Sequence, residues 1–260
     1  MDTMLHHPSP ACQVMSVKVV LITGAGQRLG AASARRLIHK GCHVLLHVRS
    51  SVSEAEALLA QAEANEATGS GEVVVADLTD DEALQRLVSE VANHPLVVAN
   101  GLFGVVHNAS LYSPSSFAET PLEVYRHLTR LHMDAPYAVT QGCLEALKRG
   151  RGSVIGMVDT SWGRVWGGLA HYTSTKAGLR QLMLNLAGDL APEVRVNCVA
   201  PGAVMAADWE AEHFASVVEK VPLQRSGQAS DIAAAIDHLL HHPALTGHVL
   251  HVDGGWSIVE

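Results

Sequence analysis

From Val17 onward, short and nearly continuous apolar runs alternate with helical stretches to the end of the chain. A strand can be apolar on both faces only if both faces are covered. Parallel strands meet that condition, because each crossover lays a helix against the sheet. Strands are predicted over Val17–Thr23, Cys42–Val48, Glu72–Ala76, Phe103–His107, Ser153–Val158, Val194–Val199 and His248–Val252. Helices are predicted over Gln27–Lys40, Val52–Ala67, Asp80–Asn93, His171–Leu190 and Ala229–His241. Leu122–Arg149 reads as one long helix, or two joined near Met133–Pro136. The expectation is a single α/β domain over residues 17–260, doubly wound on a mostly parallel seven-stranded sheet. Residues 1–16 are expected to form a flexible arm. No repeat, low-complexity segment or long linker divides the chain. In such a sheet, ligands bind at the carboxyl ends of the strands.

Composition narrows the function classes. Hydrophobic residues make up 48% and charged residues 17%, which is globular rather than disordered. A net charge of −8 with no basic run argues against a nucleic-acid partner or an anionic membrane surface. No apolar stretch is long enough for a membrane span. Met1–Ser16 lacks the basic and apolar regions of a secretory signal and carries Pro8 and Pro10. Cys12, Cys42, Cys143 and Cys198 form no C-x-x-C pair and read as free thiols of a cytoplasmic protein. His238, His241 and His242 share a helical spacing and read as a surface cluster, so no metal is expected.

The segments predicted at the carboxyl ends of the strands carry the chemistry. Thr23-Gly-Ala-Gly-Gln-Arg-Leu-Gly30 joins the first strand to the first helix. Gly24 and Gly30 allow a tight turn, and the backbone N–H groups of Gln27, Arg28 and Leu29 can approach a pyrophosphate, as in a Rossmann domain. Arg28 is unfavourable for the helix dipole alone, and fits either an arriving anionic or polar ligand or plain solvent exposure. The second strand ends His47-Val-Arg-Ser50, with no acid between Gly41 and Ser53. An acid here would bind the ribose of NAD. Arg49 and Ser50 instead suit the 2′-phosphate of NADP, with His47 as pocket wall. Asp77 is either an acceptor for an adenine amino group or a helix cap. Asn108 is either a cleft residue or a turn residue satisfying local backbone.

Tyr172 and Lys176 are four residues apart on one face of a helix, with Asp159 thirteen residues upstream of the tyrosine. An ammonium beside a phenol lowers its pKa, giving a proton donor for a carbonyl or imine that takes up hydride.

From the glycine turn to the C-terminus, the chain resembles the short-chain dehydrogenase/reductase family. The turn, Asp77-Leu78, Asn108-Ala109, Tyr172-x-x-x-Lys176, Pro201-Gly202 and Asp253-Gly-Gly occur in the family's order. The resemblance implies that Tyr172 donates the proton, Lys176 binds the nicotinamide ribose, and Pro201 and Gly202 flank the nicotinamide. It also implies a homotetramer. Five details resemble the pteridine reductase branch, including bacterial dihydromonapterin and dihydrofolate reductases. They are Gln27-Arg-Leu-Gly30, His47-Val-Arg-Ser50, His107-Asn-Ala-Ser-Leu-Tyr112, Asp159 in place of the usual serine, and Leu131-His-Met-Asp-Ala-Pro-Tyr137. That implies an NADPH-dependent reductase of pterins, with Asp159 accepting from the pterin's N–H edge or relaying a proton. Ser110 and Tyr112 would then line the pterin slot, Tyr112 stacking on the ring, and Arg28 would reach the pterin or the phosphates.

His132 stands where many family members have asparagine, and is either a relay to the lysine or a buried core residue. Trp162 and Trp166 either bind substrate or pack against another subunit. Two rivals stand beside this reading: a general reductase of carbonyls such as 3-oxoacyl thioesters or sugars, and a non-catalytic NADP sensor.

Overall fold

The computed structural model describes residues 16–206 and 211–259, apart from the side chains of 211–213. Except for Ser16, the expected N-terminal arm and its Cys12 lie outside these residues. The strands are β1 Val19–Thr23, β2 His43–Val48, β3 Ser70–Val75, β4 Gly104–His107, β5 Ser153–Met157, β6 Arg195–Pro201 and β7 Val249–Val252. They form one sheet in the order β3-β2-β1-β4-β5-β6-β7, and every neighbouring pair is parallel. From β1 the chain first winds outward through β2 and β3, then returns to place β4 on the other side of β1. The strand order therefore reverses between β1 and β4, which opens a crevice at their carboxyl ends.

Both faces are covered, as the apolar runs require. All residues of β1, β2, β4 and β5 are buried. One face packs Leu37 and Ile38 of α1 (Arg28–His39), Leu58 of α2 (Val52–Ala64) and Ile232, Ile236 and Leu239 of the C-terminal helix Ala229–His241. The other packs Leu84, Leu87 and Val91 of α3 (Asp81–Asn93) with Leu179 and Met183 of the long helix Ala170–Asp189. Each such side chain, fully buried, contributes about 1.5–3 kcal/mol. A short helix, α4, spans Pro95–Asn100 and ends at Gly101, whose φ of 76° closes it. Six residues are too few to show a helical period, so the sequence pattern misses it.

The Leu122–Arg149 segment is broken twice. Helix α5 (Leu122–Thr129) runs into a π-helical turn at Arg130–Asp134, followed by α6 (Ala135–Gly142) and α7 (Leu144–Gly150). Pro136 has no N–H to give and its ring crowds the carbonyl four residues back, so the ladder widens just before it. The Ala135 N–H bonds instead to the Arg130 carbonyl, five residues back. The remaining helices are α8 (Ala170–Asp189), α9 (Ala211–Val218) and α10 (Ala229–His241).

Cys42, Cys143 and Cys198 are unpaired and buried. Burial pushes their thiols up to about 11, 12 and 12, so they pack as inert apolar groups. In the histidine cluster, His241 pairs with Asp237 at 2.9 Å while the rings of His238 and His242 lie 5.1 Å apart. Among the described residues, no helix is long and apolar enough to cross a membrane.

Candidate active site

The crevice between β1 and β4 is built around the glycine turn. Gly24 takes a φ of +67°, and a Cβ on Gly30 would sit 2.1 Å from the Gly24 carbonyl oxygen. Asn108, just past β4, donates its amide to the carbonyls of Thr23 and Gly24 at 3.0 and 2.9 Å. Its side chain is thereby committed to shaping the turn, while it still lines the crevice. The Thr23 hydroxyl accepts from the N–H groups of Asn108 and Ala109 at 3.0 and 3.1 Å.

His47 fastens the turn from the other side. Its Nδ1 accepts from the Gly24 N–H at 3.3 Å, so Nε2 carries the proton and donates to the Ala76 carbonyl at 3.1 Å. Burial lowers its pKa to about 4, so the ring is a neutral wall. The start of α1 has no side-chain cap and no acid in its first turn. Among the described residues no side chain caps these N–H groups, which fits the pyrophosphate of a dinucleotide. Asp77 accepts from the Thr79 N–H and hydroxyl at 2.9 and 2.7 Å, and those bonds hold its carboxyl below the usual range. Asp80, not Asp77, caps α3, through the Ala83 N–H at 2.7 Å.

A cleft of about 660 Å³ follows the crevice along the strand ends. Every residue expected in the site lines it: Gly24, Gln27, Arg28, Leu29 and Gly30; His47, Arg49 and Ser50; Asp77 and Leu78; Asn108, Ala109, Ser110 and Tyr112; Asp159, Tyr172 and Lys176; Pro201 and Gly202.

At the far end, α8 presents Tyr172 and Lys176, both buried, toward Asp159 just past β5. The Tyr172 hydroxyl donates to Asp159 Oδ2 at 3.0 Å, and Oδ1 accepts the Ser161 N–H at 2.8 Å. Lys176 Nζ donates to the Met157 carbonyl at 2.7 Å and stands 5.8 Å from the Tyr172 ring centre. Burial lowers Lys176 to about 8, against the pull of Asp159. Burial, then the charge and hydrogen bond of Asp159, push the Tyr172 phenol well above its ordinary value. This corrects the sequence expectation, in which the ammonium lowers the phenol. Burial is the larger cause, and Asp159, the hydrogen-bonded partner, adds to it. A phenol held protonated remains a proton donor.

Other side chains lie differently from the sequence expectation. Arg28, at a φ of 51°, reaches across the cleft to the Met205 carbonyl at 2.6 Å. Tyr112 meets Tyr172 edge-on at 5.1 Å and is partly exposed. Trp166 lines the cleft and packs on Trp256 at 6.1 Å. Trp162 lies outside the lining, beneath the Arg180 guanidinium at 3.9 Å. Leu169 and Trp256 also line the cleft and went unnoticed in the sequence, since each reads as ordinary core or loop.

Comparison with known proteins places this geometry. A family model described as enoyl-(acyl carrier protein) reductase matches residues 24–257. L-rhamnose 1-dehydrogenase (NAD(P)(+)) of Azotobacter vinelandii is 34% identical over 251 residues, covering 92% of this chain and 96% of that protein. The chain belongs to the short-chain dehydrogenase/reductase family. Within this oxidoreductase family, dihydromonapterin reductase of Klebsiella pneumoniae is 28% identical, covering 91% of this chain and 95% of that protein. Among solved structures, the alternative dihydrofolate reductase FolM of Brucella suis in complex with NADP superposes with a TM-score of 0.82. It is 26% identical and covers 94% of this chain and 96% of its own. The short-chain reductase fold therefore positions the Tyr172, Lys176 and Asp159 group at the end of a dinucleotide crevice.

Proposed function

We propose that this protein is an NADPH-dependent reductase of pteridines, converting a dihydropterin such as dihydromonapterin to the tetrahydropterin, with dihydrofolate as a further substrate. The observation that carries the reading is the Asp159 carboxylate hydrogen-bonded to the Tyr172 phenol at the head of the cleft. A hydroxyl there would donate to a carbonyl. A carboxylate accepts, and suits the amino and ring N–H edge of a pterin. The relatives named dihydromonapterin reductase and alternative dihydrofolate reductase support the same reading.

NADPH, when bound, supplies the hydride. The uncapped start of α1 would hold its pyrophosphate, and Arg49 and Ser50, which line the cleft, would meet the 2′-phosphate. Lys176 gives one N–H to Met157 and keeps two for the nicotinamide ribose. Asp159 orients the substrate's N–H edge, and Tyr172 delivers its proton to the ring nitrogen as the adjacent carbon is reduced.

A sugar dehydrogenase is the second reading, because the rhamnose enzyme is the more similar in sequence. An NADPH oxidation assay across dihydropterins, dihydrofolate, 3-oxoacyl thioesters and sugar lactones, with sugar oxidation run in reverse, separates the two. Turnover confined to the pterins is expected. Turnover confined to sugars or thioesters overturns the proposal.

A further inference from the structure

Two histidines and a glutamate meet near the amino ends of β2 and β3, the end of the sheet opposite the cleft. His43 opens β2, and the parallel register pairs it with Ser70, the first residue of β3. Glu72 follows Ser70 by two residues, so both side chains leave the strand on one face. That face is the one covered by α3, since Leu45, paired with Glu72, shares a core cluster with Leu87 and Val91. His94 stands between α3 and α4, where Pro95 keeps it out of helical geometry at a ψ of 131°. One atom able to bind a metal from each of His43, Glu72 and His94 lies within 4.8 Å of the other two. The three residues are far apart in the chain, and no local spacing marks them, which is why no metal is expected from the sequence.

The hydrogen bonding leaves the cluster incomplete. His43 is 8% exposed, and its Nδ1 stands 2.8 Å from Ser70 Oγ. Its Nε2 is buried with no hydrogen-bond partner among the described residues. His94 Nε2 meets Glu72 Oε1 at 2.7 Å. An ion pair of His94 with Glu72 explains that contact and leaves the His43 nitrogen unsatisfied. Burial lowers the pKa of His43, which keeps the ring in the neutral form that binds metals. The two rings lie 5.6 Å apart, centre to centre. Two imidazoles on one tetrahedral ion place their centres about 5 Å apart.

We propose that His43, Glu72 and His94 bind a divalent ion of the zinc class, with water as the fourth ligand. His43 binds through Nε2, while Ser70 accepts the proton on Nδ1 and fixes the ring. Glu72, with 46% of its side chain exposed, gives the ion its path from solvent. Two imidazoles and one carboxylate suit zinc, whereas calcium and magnesium take oxygen ligands. None of the three residues lines the cleft. The ion's role is therefore structural: it ties edge strand β3 and its neighbour β2 to the junction of α3 and α4. The proposal is independent of the substrate assigned to the cleft.

The test is calorimetric titration of zinc chloride into the untagged full-length protein, stripped of metal with EDTA and dialysed. The wild type, His94→Gln and Glu72→Gln are compared. A site of one ion per chain is expected in the wild type, weakened by about 100-fold or more in each variant. Zinc at 100 times the wild-type Kd is expected to raise the wild-type Tm by about 5–10 °C and to leave both variants nearly unmoved. Far-UV circular dichroism checks that the variants fold. If His94→Gln does not, the half-exposed Glu72→Gln carries the comparison. Absence of zinc binding by the wild type, or binding that a folded variant retains undiminished, overturns the proposal.

Discussion

The Tyr172 hydroxyl donates to Asp159 Oδ2 at 3.0 Å, and this bond aims the phenol's proton at the carboxylate. The phenol is pushed well above its ordinary value by burial and by the Asp159 charge, so it is held protonated. Lys176 donates to the Met157 carbonyl instead of to the phenol.

Removing the hydroxyl tests the donor. Tyr172→Phe is expected to lower kcat by about 10²–10⁴-fold, the usual worth of a positioned acid. NADPH affinity, read by fluorescence titration, stays close to the wild-type value.

Lys176 gives a stability signature. Its folded pKa is about 8, below the ordinary 10.5, so between those values the unfolded chain binds the proton more tightly. Unfolding free energy therefore rises with pH across that window, and the penalty is present in full below it. Its size is roughly 3 kcal/mol. Urea denaturation of the wild type and Lys176→Met at pH 7.5 and pH 10 should show this rise in the wild type minus variant difference.

Arg49 tests the proposed cofactor choice. Arg49→Ser is expected to raise the KM for NADPH by about 10–100-fold, the worth of about 1.4–2.7 kcal/mol of charged hydrogen bonding, and to leave NADH nearly unaffected. Steady-state kinetics with both cofactors measures the ratio.

The turn is intolerant of a side chain. In Gly30→Ala the new Cβ would lie 2.1 Å from the Gly24 oxygen and 2.6 Å from the Asn108 amide. Loss of about 1–3 kcal/mol of stability, seen by thermal denaturation, is expected together with weakened NADPH binding.

Continuous apolar strands made the parallel sheet legible, because only a doubly covered strand tolerates such a run. The glycine turn, Asp77, Asn108 and the Tyr172–Lys176 pair were legible because each lies at or beside the end of a strand or on one helix face. Arg28 was only half legible: its place could be read, but its partner is a backbone carbonyl 177 residues away. His132 was legible as a buried residue, one of its two sequence readings, but its partners Ser110 and Thr175 were not, because a π-helical turn changes which residues point inward. The direction of the Tyr172 shift was misread because sequence spacing gave the lysine's nearness but neither the burial of the phenol nor its hydrogen bond to Asp159.

The central claim is that the Asp159 carboxylate selects a pterin's N–H edge. The most direct measurement is kcat/KM for NADPH-dependent dihydromonapterin reduction in the wild type and in Asp159→Ser. The expected result is a fall of about 10²-fold or more in the variant, as for loss of a charged hydrogen-bond acceptor in a buried site. Undiminished reduction of dihydromonapterin by Asp159→Ser would contradict it.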